Sequence, residues 1–231
     1  MRRVADSYRR FSDFWWGDQG LSAFLVLLFA AIFLSPLFEH SLGRLLIGVF
    51  FTLLLVSGVT NISSHLLPRI GAGLVAGGAI TFSWLRNFMP GRTVTAWWAI
   101  FSLLAFLTMT LVLLIQVFRA GPVTSHRVKG AVAVYLLLGL SWSYIYVLID
   151  LFVPGAFTMP AATGPPGKEG REVDLAYFSF VTLTTLGYGD ITAAHPSARL
   201  FVITEALIGQ LYPATLLARL VSLAVTERDT S

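Results

Sequence analysis

The sequence predicts an all-α membrane protein with six transmembrane helices and a re-entrant helix and loop between helices five and six. Three observations predict it. Hydrophobic residues make up 56% of the 231-residue chain and charged residues 12%, about half the charged share of a soluble domain. The apolar residues gather into six long runs, each approaching or exceeding the roughly 20 residues needed to cross ~30 Å of hydrocarbon. A seventh apolar stretch lies between the last two runs. It is too short to cross twice as helix and too apolar for a surface loop, so a half-helix and an extended return satisfy both facts.

The runs cover residues 21–38, 44–60, 70–85, 94–118, 130–152 and 198–225. The third is short and extends back to Leu66 and Leu67 ahead of Pro68. Before the first run, Val4, Tyr8, Phe11 and Trp15 recur at helical spacing with arginines between them. Residues 1–20 are therefore expected as an amphipathic segment on the membrane surface, the alternative being a solvated tail. Arg9-Arg10-Phe11 faintly suggests a twin-arginine export signal, but a plain membrane anchor explains the same residues. Gly71 to Gly78 is glycine-rich inside an apolar run, with no strand before it to make a nucleotide loop. Gly73 and Gly77, four apart, read instead as a site of close helix packing.

The formal charge is +4, from 16 basic and 12 acidic residues. No basic stripe with interleaved aromatics lies outside the apolar runs, which argues against nucleic acid as a partner. With no cysteine, disulfides, thiolate metal sites and thiol catalysis are excluded. His40, His65, His126 and His195 have no ligand spacing, and no nucleophile–base pair stands out, so an enzyme is not expected. If the first residue is cytoplasmic, ten of the 16 basic residues fall on the inner side and six on the outer. That bias places both termini in the cytoplasm, in a multi-pass protein of the cell membrane surrounded by lipid. Residues 154–168 read as an exposed loop and 227–231 as a short cytoplasmic tail.

Between the last two runs stands Asp174-Leu-Ala-Tyr-Phe-Ser-Phe-Val-Thr-Leu-Thr-Thr-Leu-Gly-Tyr-Gly-Asp190. Asp174 is a natural N-cap for a descending helix reaching Thr184. The C-terminal end of that helix would aim its partial negative charge at a cation. In Thr185-Leu186-Gly187-Tyr188-Gly189, aiming successive carbonyls to one side needs backbone angles that glycine adopts most easily, hence Gly187 and Gly189. Leu186 and Tyr188 can then point away and pack as a cuff.

Thr184-Thr185-Leu186-Gly187-Tyr188-Gly189-Asp190 resembles the signature of the potassium channel family. The resemblance covers 130–225 strongly and the first four runs by count alone. It implies that the carbonyls of Thr185, Leu186, Gly187 and Tyr188, with the Thr185 hydroxyl, replace the water of a K+ ion. Gly189 completes the filter, and four copies of the chain, a homotetramer, encircle the ion. Residues 128–226 would be the pore domain: outer helix, pore helix, filter and inner helix. Residues 21–120 would resemble a voltage-sensor-like four-helix domain. Yet 93–118 contains no charged residue, so the sensing arginines are absent and intrinsic voltage sensing should be weak or missing.

The motif departs from the family in three places. Leu186 stands where valine or isoleucine is commoner. Val181 replaces the glutamate with which some bacterial members clamp the filter aspartate, here Asp190. Tyr177 and Phe178 replace a pair of tryptophans. Tyr177, Thr182, Thr184, Asp190 and Glu205 are therefore the expected filter supports. Glu205 lies two turns into the last run and is read as a brace hydrogen-bonded to Ser179, Thr182 or Thr184. The rival reading is an acidic ring facing the conduction path, and the bland one an acid reaching the headgroups. Gly209 and Pro213 read either as a gating hinge or as packing residues. Two functions compete: a potassium-selective channel subunit, and a non-conducting or non-selective relative that keeps the loop. A potassium-dependent thermal stability would separate them.

Overall fold

The computed structural model describes residues 18–34, 41–61, 66–119, 124–159 and 171–229. Within them every expected apolar run forms a helix. These are α1 (Asp18–Leu34), α2 (Ser41–Asn61), α3 (Leu66–Phe88), α4 (Arg92–Phe118) and α5 (Ser125–Phe152), followed by α6 (Arg171–Leu183) and α7 (Pro196–Asp229). Three stretches among the described residues are long and apolar enough to cross a membrane: Arg92–Phe118, Ser125–Phe152 and Pro196–Arg219. Helices α1 and α2 contribute the shorter apolar stretches Gly20–Phe33 and Gly48–Val59. The proposed N-terminal amphipathic segment falls almost wholly outside the described residues.

Antiparallel helices α4 and α5, joined through residues 119–124, form the spine. Helix α3 packs on α4 and α1 on α5, with α2 bridging α1 and α3. Helices α6 and α7 pack on α5. Aromatic rings fill the centre: Tyr144 meets Trp98 edge-on with centroids 5.1 Å apart and stacks on Phe106 at 5.6 Å. Phe51 of α2 closes the cluster against Phe106. Such pairs add roughly 0.5–1.5 kcal/mol each beyond their burial.

Helix α6 has 13 residues, about 20 Å at 1.5 Å per residue, well short of a bilayer core. It begins at Arg171, so Asp174 lies inside its first turn with Glu172 rather than capping it. Both acids there complement the helix dipole, which is the same preference that made Asp174 look like a cap. The all-α expectation needs one addition. Strand β1 (Phe157–Thr158) pairs antiparallel with β2 (Thr192–Ala193), Phe157 opposite Ala193 and Thr158 opposite Thr192. This two-residue ladder ties the end of α5 to the entry of α7.

The backward extension of the third run is met, and two further expectations shift. Helix α3 starts at Leu66, with Pro68 in its first turn, where a missing N–H is harmless. Gly73 and Gly77 have nothing within 4 Å of an added Cβ, so neither mediates close packing among the described residues. Gly78 does: a Cβ there would meet the Phe101 ring at 2.6 Å. Helix α7 continues to Asp229, so residues 227–229 of the expected tail are helical.

Candidate functional site

The segment after α6 alternates in backbone handedness. Thr185, Gly187 and Gly189 have φ of +58°, +57° and +81°, whereas Leu186 and Tyr188 between them stay negative. A β-branched residue at positive φ is a true outlier that costs of order 1–3 kcal/mol and persists only where its surroundings enforce it. The enforcement is visible. The Thr185 N–H donates to the Thr182 carbonyl at 2.9 Å, and the Leu186 and Gly187 N–H groups donate to the Val181 carbonyl at 2.9 and 3.3 Å. The Thr184 hydroxyl donates to the Phe180 carbonyl at 2.7 Å. Carbonyls at the end of α6 are thereby satisfied by the turn that follows.

The carbonyls of Thr185, Leu186, Gly187 and Tyr188 are left over: none accepts a hydrogen bond among the described residues. The whole segment from Thr184 to Asp190 is exposed. Leu186 is 56% and Tyr188 69% accessible, so no cuff forms around them within one chain. Beyond the segment, the Tyr177 hydroxyl donates to Asp190 Oδ2 at 2.9 Å, and the Ile191 N–H donates to Oδ1 at 3.0 Å. Asp190 is thus held by the helix that precedes the segment, without a glutamate at 181.

Behind the segment lies a second polar layer. Glu205 of α7 is fully buried, and its partners come from two other helices. Ser179 Oγ of α6 lies 2.5 Å from Oε1, and the Tyr146 hydroxyl of α5 donates to Oε2. Of the donors expected from the sequence only Ser179 is engaged. Thr182 is buried but supplies its carbonyl to Thr185, and Thr184 turns to its own helix. Ser179 Oγ also lies 2.7 Å from the Gly139 carbonyl of α5. A serine hydroxyl has one hydrogen and a carbonyl only accepts. Its single hydrogen therefore serves two acceptors, the Gly139 carbonyl and the Glu205 carboxyl.

Close backbone approaches complete the support. A Cβ on Gly209 would stand 2.0 Å from the Leu183 carbonyl oxygen, at the end of α6. The Tyr135 hydroxyl donates to that same carbonyl at 3.1 Å. Gly209 therefore seats α7 against the base of the segment, and Pro213 is accommodated within a continuous α7. Sequence reasoning missed Tyr146, Gly139 and Tyr135. Their hydroxyls and backbone lie within an apolar run, and nothing local marks them as partners of residues 40 to 59 positions away.

Comparison with known proteins gives the class first: residues 132–226 match the family described as ion channel. Over 70 residues the chain is 46% identical to two pore potassium channel c of Oryza sativa subsp. japonica, covering 30% of this chain and 14% of that protein. It is 33% identical over 61 residues to potassium channel protein kcv of Paramecium bursaria Chlorella virus 1, covering 26% and 65%. It is 31% identical over 87 residues to protein LctB of Bacillus caldotenax, covering 38% and 64%. The chain thus spans less than two thirds of each of these relatives, and no solved structure matches it. These likenesses point to a channel rather than an enzyme.

Proposed function

We propose that the chain is one subunit of a potassium-selective channel whose filter runs from Thr185 to Gly189. One observation carries the reading: the amides of Thr185, Leu186 and Gly187 donate back to α6, the segment alternates handedness at Thr185, Gly187 and Gly189, and four successive carbonyls accept no hydrogen bond among the described residues. Oriented carbonyls can replace the hydration shell of K+, the transported ion, at the level of Thr185, Leu186, Gly187 and Tyr188. Helix α6, too short to span, acts as the re-entrant pore helix and presents its C-terminal dipole end. Helices α5 and α7 are the outer and inner helices, and α1 to α4 are the first four of six spans.

One strand can face an ion from one side only, so the filter is completed by four copies around an axis. The exposure of Leu186 and Tyr188 supports this, since neighbouring copies would bury the cuff. The basic-residue bias supports cytoplasmic termini in a cell membrane. Glu205 serves as the brace that fixes α6 to α5 and α7, which its burial disfavours as a ring facing the path. The test is reconstitution of the full chain in planar bilayers under opposed K+ and Na+ gradients. The current should reverse near the K+ equilibrium potential, and a reversal indifferent to the cation refutes the reading.

A further inference from the structure

The ion channel match begins at residue 132 and leaves helices α1 to α4 without a role. One cluster joins them to the pore helix. Arg86, at the end of α3, makes an ion pair with Glu172 in the first turn of α6, Nη2 to Oε1 at 2.5 Å. Both side chains are about four fifths buried, 17% and 20% accessible. The same guanidinium lies over the Trp98 ring of α4, 3.9 Å from its centroid. Trp98 in turn packs edge-on against Tyr144 of the outer helix α5. Helices α3, α4, α5 and α6 each place one side chain in this junction.

The neighbouring residue on α6 does something different. Arg171 is held by Asp150 of α5, within the channel domain. Consecutive residues at the head of the pore helix are thus fastened to two bodies: Arg171 to the outer helix, Glu172 to the preceding four helices. Only residues 119–124 join α4 to α5 covalently, and the two helices run antiparallel side by side. A shift of α3 or α4 reaches the pore helix most directly through Arg86.

We propose that Arg86 is a positioning residue through which helices α1 to α4 control the opening of the pore, acting on Glu172 at the head of α6. This rests on the channel reading above. Arginine suits the position because its planar guanidinium stacks on Trp98 while its edge donates to the carboxylate. Lysine can keep the charge but not the stack. Spatial intermediacy alone does not establish coupling, so the measurement must be of coupling itself.

The experiment uses the full chain in planar bilayers, reading open probability, unitary conductance and reversal potential for Arg86→Gln, Glu172→Gln, the double variant, the exchange Arg86→Glu/Glu172→Arg, and Arg86→Lys. Each single glutamine variant should lower open probability roughly fivefold, with unitary conductance and reversal potential unchanged. The double variant should be no worse than either single one, because both remove the same interaction. The exchange should recover part of the loss, and Arg86→Lys should fall between wild type and Arg86→Gln. A contact that only holds the fold would lower the melting temperature of these variants and leave the open probability of the assembled channel unchanged. If the wild type conducts K+ selectively and both single variants open as it does, or if their losses add in the double, this inference is overturned and the channel reading stands. If the wild type does not conduct K+ selectively, both are overturned. Should Arg86→Gln fail to assemble, Arg86→Lys and Glu172→Gln carry the same test.

Discussion

Glu205 on α7 and Ser179 on α6 meet 2.5 Å apart, oxygen to oxygen, in a site closed to solvent. Tyr146 approaches the other carboxyl oxygen, so one side chain links three helices behind the 185–189 segment. A glutamine can reproduce this pattern: its amide N–H donates to Ser179 and its carbonyl accepts from Tyr146. Glu205→Gln should therefore keep stability and selectivity close to wild type. Glu205→Leu leaves the buried Tyr146 hydroxyl without its acceptor, while Ser179 keeps the Gly139 carbonyl, and should destabilise by about 1–3 kcal/mol. Thermal unfolding in detergent, with open probability measured in parallel, checks this. Equal behaviour of the two variants would remove the brace.

Gly209 and Gly187 look alike in the sequence but constrain the protein differently. At Gly209 the backbone angle is ordinary and space is absent, since a Cβ would lie 2.0 Å from the Leu183 carbonyl. Gly209→Ala must push α7 away from the end of α6, an overpacking cost of about 1–3 kcal/mol. A fall in unfolding temperature is expected, together with altered conduction. An unchanged melting curve would contradict the close approach.

At Gly187 and Gly189 space is plentiful, with nothing within 4 Å of a Cβ, and the constraint is the positive φ. Gly187→Ala or Gly189→Ala should leave the helices folded and disturb the carbonyl row, at about 1–2 kcal/mol for a non-glycine residue in that region. The expected result is loss of K+-over-Na+ discrimination in the reversal potential with little change in helical content. Wild-type selectivity in both variants would detach the segment from selectivity.

Voltage should have little effect on opening. Each charge moved across the membrane contributes about 2.3 kcal/mol per 100 mV, and steep sensors move several per subunit. Residues 93–118 offer none. A shallow conductance–voltage relation is expected. Steepness equivalent to several charges per subunit would show that another element carries the sensor.

The helices were legible because bilayer-length apolar runs allow few other structures, and the boundaries of α4 and α5 fall within a few residues of those runs. The alternating backbone of 185–189 was legible at its glycines, because Gly187 and Gly189 sit where positive φ is needed. What the sequence hid was tertiary. Arg86 and Glu172 are 86 positions apart, and Tyr146 and Glu205 are 59 apart. No local pattern pairs them. Asp174 misled for a physical reason, since an acid in the first turn and an acid at the cap answer the same dipole. Gly73 and Gly77 misled because four-residue spacing marks a face without saying what that face meets.

The Asp150–Arg171 pair allows the sharpest stability test. Its two contacts, Nε to Oδ2 at 2.6 Å and Nη2 to Oδ1 at 2.7 Å, form a bidentate fork. The side chains are only 4% and 10% accessible. Desolvating both ions offsets much of their attraction, so the pair as a whole should contribute little net stability. Removing one partner is another matter, because the remaining charge keeps its desolvation penalty and loses the bidentate carboxylate facing it. Asp150→Leu alone should destabilise by about 3–5 kcal/mol, whereas Asp150→Leu with Arg171→Met should return most of that loss. Detergent-solubilised protein followed by thermal unfolding would read both. The pattern to look for is a large drop for the single variant and a melting temperature near wild type for the double. If instead the double variant melts as low as the single one, the fork is a net stabiliser that holds the head of the pore helix on α5, and its replacement should also disturb conduction.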